Sequence, residues 1–236
     1  MAFTQPKTSV EIPLKDSTEN DMQRYMRDFC VEIWNITQRW EELNGSTYIL
    51  LEKIVNNRLC LMYAQSADVK KERDVGKKES ESDLSALLLN EKDNGCSTTS
   101  VELQRNRLEQ NESSRITEKI VRDVEELVEL VNVQMTRMVD ELQSMRERLA
   151  GLKKLENLQR DRRNLPHFQN PKLKEISEIL PLIVKMYQEE LKAKHAALDD
   201  LANFGSRDIF LAIMASWSHQ PFIDRSTLSR LYSLVV

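Results

Sequence analysis

The chain has 236 residues, of which 40% are hydrophobic and 31% are charged, and its formal net charge is −4. Only five glycines and six prolines interrupt a sequence rich in Glu, Lys, Leu, Arg and Gln, a balance that favours long helices over sheets. Both signs of charge are interleaved along the chain. The composition therefore offers no basic surface and argues against direct binding to nucleic acid.

The sequence also indicates a reducing compartment, the nucleus or the cytosol. Its N-terminal stretch lacks the apolar core of a secretion signal, and no run approaches the roughly 18 apolar residues of a membrane span. Cys30, Cys60 and Cys96 are odd in number and far apart, which argues against a disulfide framework. We expect neither secretion nor a membrane partner.

The first predicted element, after a disordered N-terminus over residues 1–18, is a long helix over residues 19–65. Its apolar residues alternate steps of four and three, the pattern of a heptad seam. They are Met22, Met26, Phe29, Ile33, Ile36, Trp40 and Leu43. This seam is too narrow for a helix that stands alone, so it predicts a partner helix.

A disordered linker is predicted over residues 66–114, where charged, Ser, Thr and Asn residues dominate and no aromatic residue occurs. A second heptad-patterned helix follows over residues 115–157, and repeated steps of four near Val131 predict a local unwinding there. The two helices have similar lengths and are predicted to pair as an antiparallel coiled coil. The predicted fold class is all-α.

Residues 158–236 are predicted to form a C-terminal helical module. A third helix is expected over residues 172–203, with Gly205 as its C-terminal cap. A short helix over residues 209–217 is stopped by Pro221, and a last amphipathic piece begins at Ser226. The third helix has a buried stripe at Ile176, Leu180, Ile183, Tyr187, Leu191, Leu198 and Leu201.

No pattern in the sequence indicates catalysis. The glycine loops that hold phosphates and the paired Cys or His motifs of zinc sites do not occur. Cys30 lies beside the first seam, where cysteine is typically a small hydrophobic residue, so a Cys30–His219 nucleophile pair has little support. We expect no catalytic residue, no cofactor and no bound metal, and hence no enzyme.

The C-terminal third resembles the cyclin-dependent kinase 2-interacting protein family. The resemblance rests on "MYQEELKAKHAALDDLANFGSRDIFLAIMASWSHQPFI" (residues 186–223) and, near the N-terminus, on "RWEELN" (residues 39–44). The matching residues are Met186, Tyr187, Glu190, Leu191, Lys194, Leu201, Ala202, Gly205, Asp208, Ser216, Trp217, His219, Gln220, Pro221 and Phe222, with Trp40, Glu41, Leu43 and Asn44. The family motif W-x-H-Q-P, residues 217–221, is the most specific part.

This resemblance implies a non-enzymatic helical adaptor in the nucleus, and also in the cytoplasm. The partners it implies are cyclin-dependent and replication-initiating kinases and the partner of a replication-stress checkpoint kinase. It also implies membership, with a second small helical subunit, of an AAA ATPase assembly that acts in genome maintenance and large-ribosomal-subunit maturation. The expected protein is thus one subunit of a hetero-oligomer.

Ten residues are candidates for contacts with such partners. They are Trp40, Leu43, Met135, Met138, Tyr187, Trp217, His219, Gln220, Pro221 and Phe222. Met, Trp and other aromatic residues suit adaptable or anchoring interfaces, but each of the ten could equally belong to the chain's own core. A purely structural coiled-coil subunit of a kinetochore, tether or trafficking complex is the alternative function.

Overall fold

The computed structural model describes the backbone of residues 15–82, 98–163, 171–203 and 205–236. These residues form helices α1 (Lys15–Ser82), α2 (Thr98–Glu129), α3 (Thr136–Arg163), α4 (Pro171–Asn203), α5 (Arg207–His219) and α6 (Arg225–Val235), with a π-helical turn at Leu130–Met135. No strand occurs in these ranges, and the predicted all-α class is confirmed.

Helix continues further than predicted at both ends of the expected linker over residues 66–114. α1 runs on to Ser82 and α2 begins at Thr98, so the described backbone is helical over residues 66–82 and 98–114. Lys, Glu, Gln, Arg and Leu are frequent in these stretches, and all have high intrinsic helix propensity. Residues 83–97 lie outside the described residues. A linker at that place stays a prediction, as does the division of the chain into domains.

A π-helical turn stands where the sequence pattern contains its repeated steps of four. Leu127, Val131 and Met135 are all fully buried although they are spaced four apart. In an α-helix a step of four overshoots one turn, whereas in a π-helix it falls short of one. The turn at Leu130–Met135 therefore keeps all three side chains on one face, which an uninterrupted α-helix would do less well.

The described residues fall into two compact units. Unit 1 comprises the described parts of Met1–Glu41, Arg137–Glu190 and Phe222–Val236, and unit 2 comprises those of Glu42–Thr136 and Leu191–Pro221.

In unit 1, α1 and α3 pack antiparallel to each other. Arg148 Nη1 lies 3.1 Å from Glu32 Oε1, and Arg39 pairs with Glu141, so residue numbers rise along one helix as they fall along the other. These pairs are largely exposed and contribute little stability, about 0–1 kcal/mol each. They do fix the relative direction of the two helices. Knobs-into-holes packing between these helices stays a prediction.

The predicted seam of α1 supplies the core of unit 1. Met26, Phe29, Ile33, Ile36 and Trp40 are buried, whereas Met22 at the start of the pattern is 41% exposed. The other helices of the unit add the following buried residues. They are Met138, Val139, Leu142, Met145 and Leu149 of α3, Leu173, Ile176, Ile179, Leu180, Ile183, Val184 and Tyr187 of α4, and Leu231 and Leu234 of α6.

Helix α6 begins at a side-chain cap rather than at Ser226 itself. Asp224 accepts hydrogen bonds from the backbone and hydroxyl groups of both Ser226 and Thr227, which satisfies free amides of the first turn. The hydrogen bonds from Thr227 and Ser226 lower the pKa of Asp224 to about 2. The carboxylate is therefore ionised, and the cap is in place, at neutral pH.

This cap predicts acid sensitivity of α6. The folded pKa of Asp224 lies below its ordinary value, so its contribution to stability is complete above about pH 4 and is lost as the pH falls towards 2. We expect wild-type protein to melt at a higher temperature than Asp224→Ala near pH 5, and the difference to shrink towards pH 2. Thermal melts of both proteins across that range test this, and a difference independent of pH would contradict it.

Candidate functional site

The motif segments that carry the family resemblance meet inside unit 2 as a buried polar cluster. Asn44 of α1, Lys194 of α4 and Trp217 of α5 are far apart in sequence but contact one another, and Thr47 completes the group. All four side chains are at most 6% exposed. We call these four residues the polar cluster.

Lys194 is the charged member of the polar cluster. Its Nζ donates to Asn44 Oδ1 at 2.6 Å and lies 4.4 Å from the centre of the Trp217 ring. Burying an ammonium group costs several kcal/mol unless polar or aromatic partners replace its water shell. The amide oxygen and the electron-rich face of the indole supply such partners in this cluster.

Trp217 makes polar contacts at its indole N–H and at its backbone carbonyl, in addition to the contact of its ring with Lys194. The indole Nε1–H donates to Thr47 Oγ1 at 3.1 Å, and the Trp217 carbonyl accepts a long hydrogen bond from Asn44 Nδ2 at 3.5 Å. The Thr47 hydroxyl lies 2.9 Å from the Leu43 carbonyl, to which it donates. The indole is thereby fixed at its edge by α1 and at its face by α4.

Helix α5 ends at His219, two residues beyond its predicted end at residue 217. Gln220 caps the helix in the left-handed conformation, with φ 46° and ψ 68°, and its N–H donates to the Ser216 carbonyl at 3.1 Å. Gly205, predicted as the cap of α4, has no positive φ. Ser206 is the N-terminal cap of α5, and its side chain accepts a hydrogen bond from the Ile209 amide.

In unit 1 four further motif residues make two contacts, an aromatic pair between Trp40 and Tyr187 and a hydrogen bond between Glu190 and the backbone of Phe222. Trp40 and Tyr187 meet edge to face with ring centres 5.0 Å apart, and both are fully buried. Burial raises the pKa of the Tyr187 phenol far above its ordinary value, and the Glu41 carboxylate adds to the rise. The backbone N–H of Phe222 donates a hydrogen bond to Glu190 Oε2, with nitrogen and oxygen 3.2 Å apart. The Phe222 side chain itself is 47% exposed.

The ten candidate contact residues divide by exposure. Seven are buried within this chain, namely Trp40, Leu43, Met135, Met138, Tyr187, Trp217 and Gln220. Three are exposed, namely His219, Pro221 and Phe222. Contacts between any of them and a partner stay a prediction, and in the free chain only the exposed three are open to one.

Sequence reasoning missed the part played by Lys194 and Thr47. The stripe of α4 reads Tyr187, Leu191, Leu198 and Leu201, and Lys194 occupies the heptad position left vacant between them. A lysine in an apolar seam is a signal for a buried, partnered cation. That signal was present in the sequence. The identity of the partners was not, because they come from α1 and α5.

The geometry around Cys30 argues against thiol chemistry. The side chain is fully buried, and burial raises the pKa of the thiol to about 11. The thiol therefore stays protonated at neutral pH, and the thiolate is the form that attacks or binds metal. Among the described side chains, no group of three or more His, Cys, Asp or Glu residues is arranged to hold a metal ion.

Of the helices described, none combines the length and the apolar character needed to cross a membrane. The described residues define an all-helical protein in which the motif residues Asn44, Lys194 and Trp217 join helices α1, α4 and α5 to one another. No protein-family model matches the chain.

Three curated proteins are similar to this chain over most of their length, and all three carry the name cyclin-dependent kinase 2-interacting protein. The protein from Bos taurus is 22% identical over 216 residues, that from Homo sapiens 20% over 215, and that from Xenopus laevis 23% over 219. Each alignment covers 90% of this chain and 87% of the relative. The family resemblance drawn from the motif residues is confirmed by these relatives.

Proposed function

We propose that this chain is a non-enzymatic helical adaptor that binds a cyclin-dependent kinase. The observation that carries the proposal is its similarity, over 90% of its length, to three proteins named for interaction with cyclin-dependent kinase 2. An alignment of that extent spans both units, so the proposal concerns the whole chain and not a single shared motif.

The architecture is compatible with an adaptor. The motif residues Asn44, Lys194 and Trp217 partner one another inside unit 2, and the Cys30 thiol is buried and protonated. Exposed apolar side chains are available for binding, among them Leu182 at 48% and Phe222 at 47% in unit 1. An adaptor needs such a surface, since it acts by contact alone.

The finer role rests on the family resemblance alone. We propose replication-initiating kinases and the partner of a checkpoint kinase as further partners. We also propose an AAA ATPase assembly in which the chain sits beside a second small helical subunit. That assembly would act in genome maintenance and in large-ribosomal-subunit maturation, with the chain in the nucleus and also in the cytoplasm.

Direct binding to purified kinase tests the main proposal. The 236-residue chain is immobilised and exposed to cyclin-dependent kinase 2, with and without its cyclin, and retained kinase is quantified. We expect saturable binding that Phe222→Ala weakens. The matched control is Ile49→Ala, because Ile49 is a similarly exposed apolar residue of unit 2, at 55%. Absence of saturable binding in both kinase preparations would contradict the proposal.

Affinity purification of the tagged chain from cells separates the finer role from the alternative. Co-isolation of an AAA ATPase together with replication factors is expected. Isolation of a kinetochore, tethering or trafficking complex, with neither of those, would favour a purely structural coiled-coil subunit.

A further inference from the structure

Helix α5 depends on its surroundings more than the longer helices do. It has 13 residues and buries only Phe210, Ile213 and Trp217. An isolated helix of that length is marginal in water, so its position must come from tertiary contacts. Two of the three buried residues are aromatic, and each lies against a cation of unit 2.

The first of these cations is Lys194 of α4. Its Nζ donates a hydrogen bond to Asn44 Oδ1 of α1. The same Nζ lies 4.4 Å from the centre of the Trp217 ring of α5. The same indole is held at its edge by Thr47 of α1. The C-terminal end of α5 is thus attached to both neighbouring helices at a single side chain.

The second cation is Arg58. Lys194 belongs to α4 and bonds to α1, whereas Arg58 belongs to α1 and bonds to α4, and each lies against an aromatic ring of α5. Arg58 belongs to α1, donates to the Leu201 carbonyl near the C-terminus of α4, and lies over the Phe210 ring with its guanidinium carbon 5.9 Å from the ring centre. Partial burial lowers the pKa of Arg58, although the group stays protonated at physiological pH. The N-terminal end of α5 is attached in this way.

The two contacts also give the direction of α5 within unit 2. Trp217 lies beside Asn44 and Lys194, and Phe210 lies beside Arg58, so α5 runs opposite to α1 in this unit. Phe210 and Trp217 are seven residues apart, or about two turns, which places both rings on one face. A slip of α5 by one turn would take each ring off its cation.

We infer that Lys194 and Arg58 are a pair of register clamps that hold α5 at one position along α1 and α4. Apolar contacts are non-directional, so a helix with only three buried residues has several positions of similar packing energy. A buried cation such as Lys194, or a part-buried one such as Arg58, distinguishes among them because a shift of α5 leaves it without its aromatic partner. Polar groups inside apolar interfaces fix register elsewhere for the same reason.

Hydrogen–deuterium exchange on the 236-residue chain tests the clamps. Lys194→Met and Arg58→Met remove each charge at nearly constant volume, and Lys194→Arg and Arg58→Lys retain it. Protection is measured in residues 207–219 of α5 and, as an internal reference, in residues 173–184 of α4 in unit 1. We expect each Met variant to lower protection of α5 by about tenfold or more, and the reference to keep its protection.

Each charge-retaining variant should lie closer to wild type than its Met counterpart. Unchanged α5 protection in both Met variants would overturn the inference. Equal loss of protection in α5 and in the reference would overturn it too, because the cations would then support overall stability and not the position of one helix. The test involves no kinase, so its failure leaves the proposed function standing, and the reverse also holds.

Discussion

Replacing Trp217 by alanine should destabilise the chain by about 3–5 kcal/mol and lower its melting temperature by on the order of 10 °C. The indole is 2% exposed, so its removal leaves a large cavity next to Asn44 and Thr47. It also removes the aromatic face that lies on the Lys194 ammonium. Loss of packing and loss of a partner for a buried charge act in the same direction.

Phe222→Ala is the control for Trp217→Ala, because it truncates an aromatic residue of the same motif segment that is 47% exposed. Its melting temperature should stay within a few degrees of wild type, since a half-exposed ring leaves little cavity. Thermal melts followed by circular dichroism compare the two. A Trp217→Ala protein that melts like wild type but no longer binds kinase would show that Trp217 is a contact residue and not a core residue.

The helices were predictable because their signal is local. Alternation of three and four along Met26, Phe29, Ile33 and Ile36 requires one buried face whatever covers it. The ends of the helices were less predictable, because residues 66–82 extend α1 through helix propensity with no apolar pattern to mark them. Periodicity marks only the part of a helix that carries an apolar pattern, so a helix end without such a pattern is hard to place from the sequence.

The polar cluster was only half predictable. The sequence placed Asn44, Lys194 and Trp217 in motif segments, but their contacts depend on how α1, α4 and α5 assemble in unit 2. Gln220 shows the same limit, since glycine or asparagine is the usual residue at a left-handed cap and glutamine gives no such signal. Local rules find candidate residues, and tertiary packing determines which of them meet.

In unit 1, Trp40→Ala should have a similarly large effect and lower the free energy of unfolding by about 3–5 kcal/mol. Trp40 is fully buried, and its ring meets the fully buried Tyr187 edge to face at 5.0 Å. Aromatic pairs of this geometry add about 0.5–1.5 kcal/mol beyond the area they bury. A double-mutant cycle with Tyr187→Ala should therefore give a coupling energy of that size.

Trp34→Ala provides the comparison for Trp40→Ala, because it makes the same substitution on the same helix at a half-buried position. The Trp34 ring lies against the exposed ring of Tyr232, with ring centres 5.2 Å apart. Its truncation leaves a smaller cavity, so Trp34→Ala should lower the free energy of unfolding by about 1 kcal/mol. Chemical denaturation of the three proteins measures these losses. Equal losses at the two tryptophans would contradict the assignment of Trp40 to the core, and a neutral Trp40→Ala that abolishes kinase binding would return Trp40 to the list of partner contacts.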